Sequence, residues 1–370
     1  MENGHDKKIL VLQGGGALGA YQAGAYEALH VSGVRPEWIA GISIGSINSA
    51  IITGSPVEKR VEHLRQFWEK VSSGPSALPF MLDQPARKWF NEYSAALNAL
   101  TGVNGFYLPQ AFLPLQYLTK PEARISLYDT TPLIDTLDEL VDFDLINRRK
   151  VRLSVGAVNV VNGNFAYFDN FQDRITARHI AASGALPPGF PPVEIDGNFY
   201  WDGGLVSNTP LQWVMDQRKT SDDLCIFQVD LFSARGRMPQ DISDVLAREK
   251  EIRFSSRTRM NTNEAARNER IDKAIRRLLK KLPANLADDP DVKFLRRQED
   301  MGAVTVVHLI YRRKAYETHS MDNEFSRLTM EEHWKAGYDD VMETLSCESW
   351  RHRQIPQDGF VAIDHWKSWA

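Results

Sequence analysis

The chain is poor in cysteine, in long apolar runs and in net charge, and each shortage closes off a class of protein. Its 370 residues include only two cysteines, Cys225 and Cys347, which gives neither a disulfide framework nor metal-ligand spacing. No metal is therefore expected, and Cys225, inside an apolar run, reads as a buried thiol. The opening stretch has four consecutive aliphatics, Ile9–Leu12, before its glycines, too few for a signal-peptide core or a membrane span. A reducing, cytoplasmic setting is the expectation. A formal net charge of -4 argues against a nucleic-acid partner, which calls for a basic surface. No internal repeat is visible. With 43% hydrophobic and 25% charged residues, the composition fits a globular chain of one large α/β domain with insertions, or of two domains.

What the sequence does have is concentrated between Ile9 and Ser49. The apolar run Ile9–Leu12 ends in Gly14, Gly15 and Gly16, and a helical pattern follows. A second run, Trp38–Ile42, leads into Gly41-Ile42-Ser43-Ile44-Gly45 and another helix-like segment. A serine between glycines on a strand-to-helix turn has its Oγ lifted out of the sheet, where it can act as a nucleophile. The flanking glycines are needed because the turned backbone leaves no room for Cβ atoms. The glycine loop just upstream could supply backbone N–H donors for a developing oxyanion.

Later segments fit an α/β chain. Strand patterns cover Lys8–Leu12, Trp38–Ile42, Val151–Asn159, Phe165–Asp169, Leu224–Phe232 and Val304–Tyr311, with helical patterns between them. The early β-α-β-α order points to a parallel, doubly wound sheet with helices on both faces. Residues 72–129 are rich in proline and aromatics and read as a loop-rich cap or lid, with ordinary packing as the alternative. Gln240–Lys281 reads as a polar helical region with a break near Asn261–Asn263. The tail, with Trp350, Phe360, Trp366 and Trp369, is expected to pack on the body.

A serine hydroxyl needs a base, since it is a poor nucleophile at neutral pH. His308 and His319 are candidates for a triad, but an elbow after only the second strand weighs against one. The alternative is Asp202, in the turn Trp201-Asp202-Gly203-Gly204. An aspartate accepts the serine proton directly if burial raises its proton affinity. His179 is expected to be structural.

Three motifs in order, Gly14-x-Gly16-x-x-Gly19, Gly41-x-Ser43-x-Gly45 and Asp202-Gly203-Gly204, resemble the signatures of the patatin-like phospholipase family. The resemblance covers roughly residues 8–208. It implies a three-layer α/β/α fold with a mostly parallel central sheet, a catalytic domain over 8–232 with a lid-like insertion at 72–129, and a C-terminal helical extension over 233–370. It also implies a Ser43–Asp202 dyad without histidine, with Gly14, Gly15, Gly16 and Ala17 around the oxyanion hole. Leu18 stands where many members carry a basic residue, which leaves backbone donors only. No cofactor is implied. The expected partner is a hydrophobic ester or lipid: a phospholipid, an acylglycerol, a hydroxyalkanoate oligomer or a smaller ester.

Other readings remain open. Gly14–Gly19 also fits a dinucleotide-binding fingerprint, but that wants an acid at the end of the second strand, and Glu37 precedes it. Ser43 and Asp202 taken singly could be ordinary turn residues. A lipid-binding module without activity is a further alternative. Arg248–Lys281 holds twelve basic residues against five acidic ones. It could touch an anionic membrane surface peripherally, although its sparse apolar positions favour a solvated helix face. Nothing in the sequence sets an oligomeric state.

Overall fold

The computed structural model describes residues 6–73, 84–110, 125–218, 223–296 and 302–364, with backbone only at 256–259. In chain order the first elements are β1 (Lys7–Leu12), α1 (Gly19–Val31), β2 (Trp38–Ile42), α2 (Ile44–Thr53), α3 (Arg60–Val71) and α4 (Gln84–Thr101). A small antiparallel pair, β3 (Leu108–Pro109) and β4 (Tyr128–Asp129), precedes β5 (Arg152–Asn159), β6 (Phe165–Asp169), β7 (Val193–Ile195) and β8 (Asn198–Asp202). The remaining strands are β9 (Leu224–Asp230), β10 (Val304–Ile310) and β11 (Phe360–Asp364).

Among the described residues nine strands form one sheet. Its order runs β11-β10-β9-β1-β2-β5 with every neighbour parallel, and β6, β8 and β7 add antiparallel pairings at the far side. Both faces are covered. Leu10 and Leu12 point to the side of α1 and α2, while Ile9 and Val11 meet Leu211, Val214 and Ala265 on the other side. A strand buried on both faces reads as an unbroken apolar run, which is how β1 appears in the sequence.

One detail of the sheet positions the site. β5 pairs with β6 along Ser154–Val158, so its other edge must take both β2 and β8. On that edge β2 ends at Ile42, opposite Gly156, and β8 ends at Asp202, opposite the next residue, Ala157. The two strands therefore meet end to end, bringing the residue after Ile42 beside Asp202.

The segment after residue 232 joins the same sheet through β10 and β11. Its helix Arg327–Ser346 lies against α1 so closely that a Cβ on Gly24 would come within 1.8 Å of the Trp334 carbonyl oxygen. The long helix Ile242–Leu279 starts at Asp241, whose side chain caps the Asp244 N–H. It runs unbroken through Asn261–Asn263, where a break was expected. Asparagine and threonine weaken a helix by only tenths of a kcal/mol, and Thr262 and Ala265 are buried.

The proline-rich stretch also differs from expectation, because its described part contains the 18-residue helix α4. Pro85 falls in the first turn, where no intrahelical N–H is required. Tyr107 packs between Tyr128 and Phe190 at ring separations of 4.7 and 5.3 Å, while Phe80, Phe112 and Tyr117 lie outside the described residues. In the tail, Trp350 packs on Phe227 at 5.5 Å and Phe360 is buried, whereas Trp366 and Trp369 lie outside the described residues. No described helix is long and apolar enough to cross a membrane.

Candidate active site

β2 hands over to α2 at a single residue, Ser43, with φ 54° and ψ -124°. A non-glycine residue held there stores roughly 1–3 kcal/mol of strain, so the surroundings must enforce it. A Cβ on Gly41 would lie 2.3 Å from the Gly45 carbonyl oxygen, and one on Gly45 would lie 2.4 Å from that of Leu12. These contacts explain both glycines of the motif. The Ser43 N–H donates to Ser183 Oγ at 3.0 Å, and the Ser183 hydroxyl donates to the Gly156 carbonyl at 2.7 Å. Ser46 Oγ donates to the Ser43 carbonyl at 2.6 Å. The positive end of the α2 dipole falls at the serine.

Asp202 closes β8 and is 3% exposed. Its carboxyl accepts the Gly204 N–H at 2.7 Å and lies beside Ser43 in the lining of one cavity. Burial pushes its pKa up to about 6 from 3.8, against the opposing pull of the nearby Ser43 and of the Gly204 N–H. Gly203 is required at this turn, since a Cβ there would come within 2.6 Å of the Gly156 carbonyl oxygen.

The glycine loop lies beside the pair. The Gly14 N–H donates to the Asn208 carbonyl at 3.2 Å, and Asn208 Nδ2 donates back to the Gly14 carbonyl at 3.0 Å. The Gly14 donor is thus already engaged, and Ala17 is packed into the core. No turn or loop bond among the described residues uses the N–H groups of Gly15 and Gly16. Gly14, Gly15, Gly16, Ser43 and Asp202 share a cavity of about 100 Å³ with Phe106, Tyr107, Phe190, Phe232 and Phe325. A Cβ on Gly14 would sit 2.4 Å from Asn208 Oδ1 and 3.0 Å from Ser43 Cβ, so the loop passes the serine too closely for a side chain at this position.

Several residues that hold this arrangement were not visible as site residues in the sequence. Gln13 is fully buried; its Oε1 accepts the Leu231 and Phe232 N–H groups at 2.6 and 3.0 Å, and its carbonyl accepts Gln22 Nε2 at 2.6 Å. Asn48 continues the chain to Gln22 Oε1 at 2.9 Å and receives Trp68 Nε1 at 3.0 Å. Gln13 had one available signal, a polar residue wedged between a buried strand and the glycines. Ser183 and Asn208 had none.

The described histidines are elsewhere. Among the described residues none lines the cavity. His308 Nδ1 lies 3.7 Å from Asp230 Oδ2, the His319 carbonyl accepts from Lys250, and His179 Nδ1 accepts the Thr176 N–H at 3.1 Å in a capping box. A Ser-His-Asp triad therefore has no histidine to complete it among the described residues.

A family model described as patatin-like phospholipase matches residues 10–214, more than half of the chain and both Ser43 and Asp202. The chain belongs to the patatin-like phospholipase family. A second model, described as patatin phospholipase, matches residues 252–357 of this patatin-like chain. Among solved structures it is similar to VipD from Legionella pneumophila, with TM-score 0.38 and 16% identity over 91% of this chain and 66% of that one. It is also similar to human GIVD cytosolic phospholipase A2, with TM-score 0.32 and 13% identity over 60% of this chain and 43% of that one. The chain thus spans about two thirds of the first structure's length and less than half of the second's. No curated protein matches it.

Proposed function

We propose that this patatin-like chain is a serine acyl hydrolase that cleaves carboxylic esters of hydrophobic substrates through an acyl-enzyme on Ser43. One observation carries the reading: a serine held at positive φ on a strand-to-helix turn lines the same cavity as a buried aspartate whose proton affinity is raised by that burial. Asp202 takes the Ser43 proton as Oγ attacks the ester carbonyl. With a pKa of about 6 the carboxylate is ionised at neutral pH yet basic enough to accept that proton in the transition state. The negative charge that forms on the carbonyl oxygen is met by the N–H groups of Gly15 and Gly16, since that of Gly14 is engaged. Such donors act where charge develops and need no reorganisation as it does. Asp202 returns the proton to the leaving alcohol, then draws one from water as the acyl group is released.

The ring-lined cavity suits an apolar acyl chain, so lipid esters are the favoured class, with hydroxyalkanoate oligomers and smaller esters as narrower versions of the same chemistry. The test is labelling of the full chain by a fluorophosphonate with mass-spectrometric mapping, followed by an ester panel of graded chain length. Labelling at Ser43 that vanishes in Asp202→Asn is expected. A label on another residue, or fatty-acyl binding with no label at all, would refute the reading.

A further inference from the structure

The glycine loop is not completed by the amino-terminal part of the chain. The turn Met321–Asn323 lies on it from the C-terminal side. Gly16, at φ +56°, presents a bare Cα to this turn, and a Cβ there would fall 2.1 Å from the Asp322 carbonyl oxygen. Asp322 and Asn323 also line the cavity that holds Ser43 and Asp202. A carboxylate at this place is a liability for the proposed chemistry, because its charge repels an oxyanion forming on the same loop. Its field does reach into the cavity: burial, then Tyr128, then Asp322 make the Tyr107 hydroxyl hold its proton more tightly.

Lys250 answers that charge from the helix Ile242–Leu279. Its Nζ donates to Asp322 Oδ1 at 2.7 Å and to the His319 carbonyl at 2.7 Å. The same helix bears on the glycine loop a turn later, where the Phe254 carbonyl accepts Gln13 Nε2 at 3.3 Å. From the opposite side Asn98 Nδ2 donates to the Asn323 carbonyl at 3.0 Å, tying α4 to the turn. The pair is partly buried, with side chains 23% and 20% exposed, so screening by water is incomplete.

We propose that Lys250 is a positioning residue for the oxyanion hole: by pairing with Asp322, on the turn that meets Gly16, it cancels a carboxylate that would oppose the transition state. The proposal rests on the serine hydrolase reading above. Its signature is differential, since the oxyanion exists only in the transition state and not in bound substrate. Loss of Lys250 therefore lowers kcat and leaves KM nearly unchanged.

The experiment uses the full chain, a short soluble p-nitrophenyl ester and a temperature at which circular dichroism shows each variant folded. Lys250→Met is expected to lower kcat by about tenfold or more, less than the loss of an oxyanion donor itself. Lys250→Arg restores most of it. So does the double variant Lys250→Met with Asp322→Asn, in which both charges are gone. Should Lys250→Met not fold, Lys250→Gln, which keeps a donor for the His319 carbonyl but no charge, carries the test with the same expected loss of kcat. Unchanged kcat in the folded Lys250 variant, or a double variant no better than it, would each overturn the proposal. Wild-type chain that neither turns over ester nor labels at Ser43 refutes the hydrolase reading and takes this proposal with it.

Discussion

Ser43 stands beside Asp202 because β2 and β8 share one edge of β5 and stop at adjacent positions on it, opposite Gly156 and Ala157. The pair is thus fixed by backbone pairing, with no intervening side chain. Ser183 secures the same junction, bridging the Ser43 N–H and the Gly156 carbonyl.

Removal of either partner should be near-complete in effect. Ser43→Ala and Asp202→Asn are each expected to lower ester hydrolysis by about 10³-fold or more, with circular dichroism unchanged. Substantial turnover in either variant would break the dyad assignment.

The raised proton affinity of Asp202 predicts two pH effects of opposite sense. Activity should rise as pH passes through about 6, where the carboxyl ionises. Stability goes the other way. The folded chain holds the Asp202 proton up to about 6 while the unfolded chain releases it near 3.8, so folding is favoured at low pH and loses that contribution as pH rises between the two values. Asp202→Asn removes the penalty, and urea unfolding at pH 7 should show the variant more stable by up to about 3 kcal/mol. No such gain is expected near pH 4, and an equal gain at both pH values would contradict burial as the cause.

Gly45 tests the elbow by sterics alone. A Cβ there strikes the Leu12 carbonyl oxygen at 2.4 Å, whereas Gly33, at φ +80°, has open space around it. Gly45→Ala should cost about 3 kcal/mol or more or fail to fold. Gly33→Ala should cost only about 1 kcal/mol. Comparable losses in chemical denaturation would mean the close approach is not what demands glycine at 45.

Neither histidine once considered for a triad faces the cavity. His308→Gln and His319→Gln should therefore keep kcat/KM for a soluble ester within a few-fold of wild type. A collapse matching that of Ser43→Ala would return histidine to the mechanism.

The basic end of the long helix is expected to be a solvated face. Charge reversal at Arg276, Arg277, Lys280 and Lys281 should leave co-sedimentation with phosphatidylserine vesicles unchanged. A marked loss of binding would assign this end to peripheral membrane contact.

The sequence by itself determined the parts that depend on short-range physics. Unbroken apolar runs announced strands buried on both faces, and the strand patterns at Val151–Asn159 and Phe165–Asp169 announced β5 and β6. The glycines at 14–16, 41, 45, 203 and 204 marked places where backbone meets backbone or turns sharply, and they carried the resemblance that located Ser43 and Asp202. The helix α4 was hidden because Pro85 looks like a breaker until it is known to sit in a first turn. Only the tertiary structure decided which amides remain free, because the Gly14 N–H is taken by Asn208, a residue far along the chain. It alone placed Asp322 and Lys250 beside the glycine loop, and Gln13 under it. Such contacts join segments whose local patterns carry no record of one another; they exist because β9 and β10 extend the sheet on the side of β1 away from β2 and bring their following loops over the cavity.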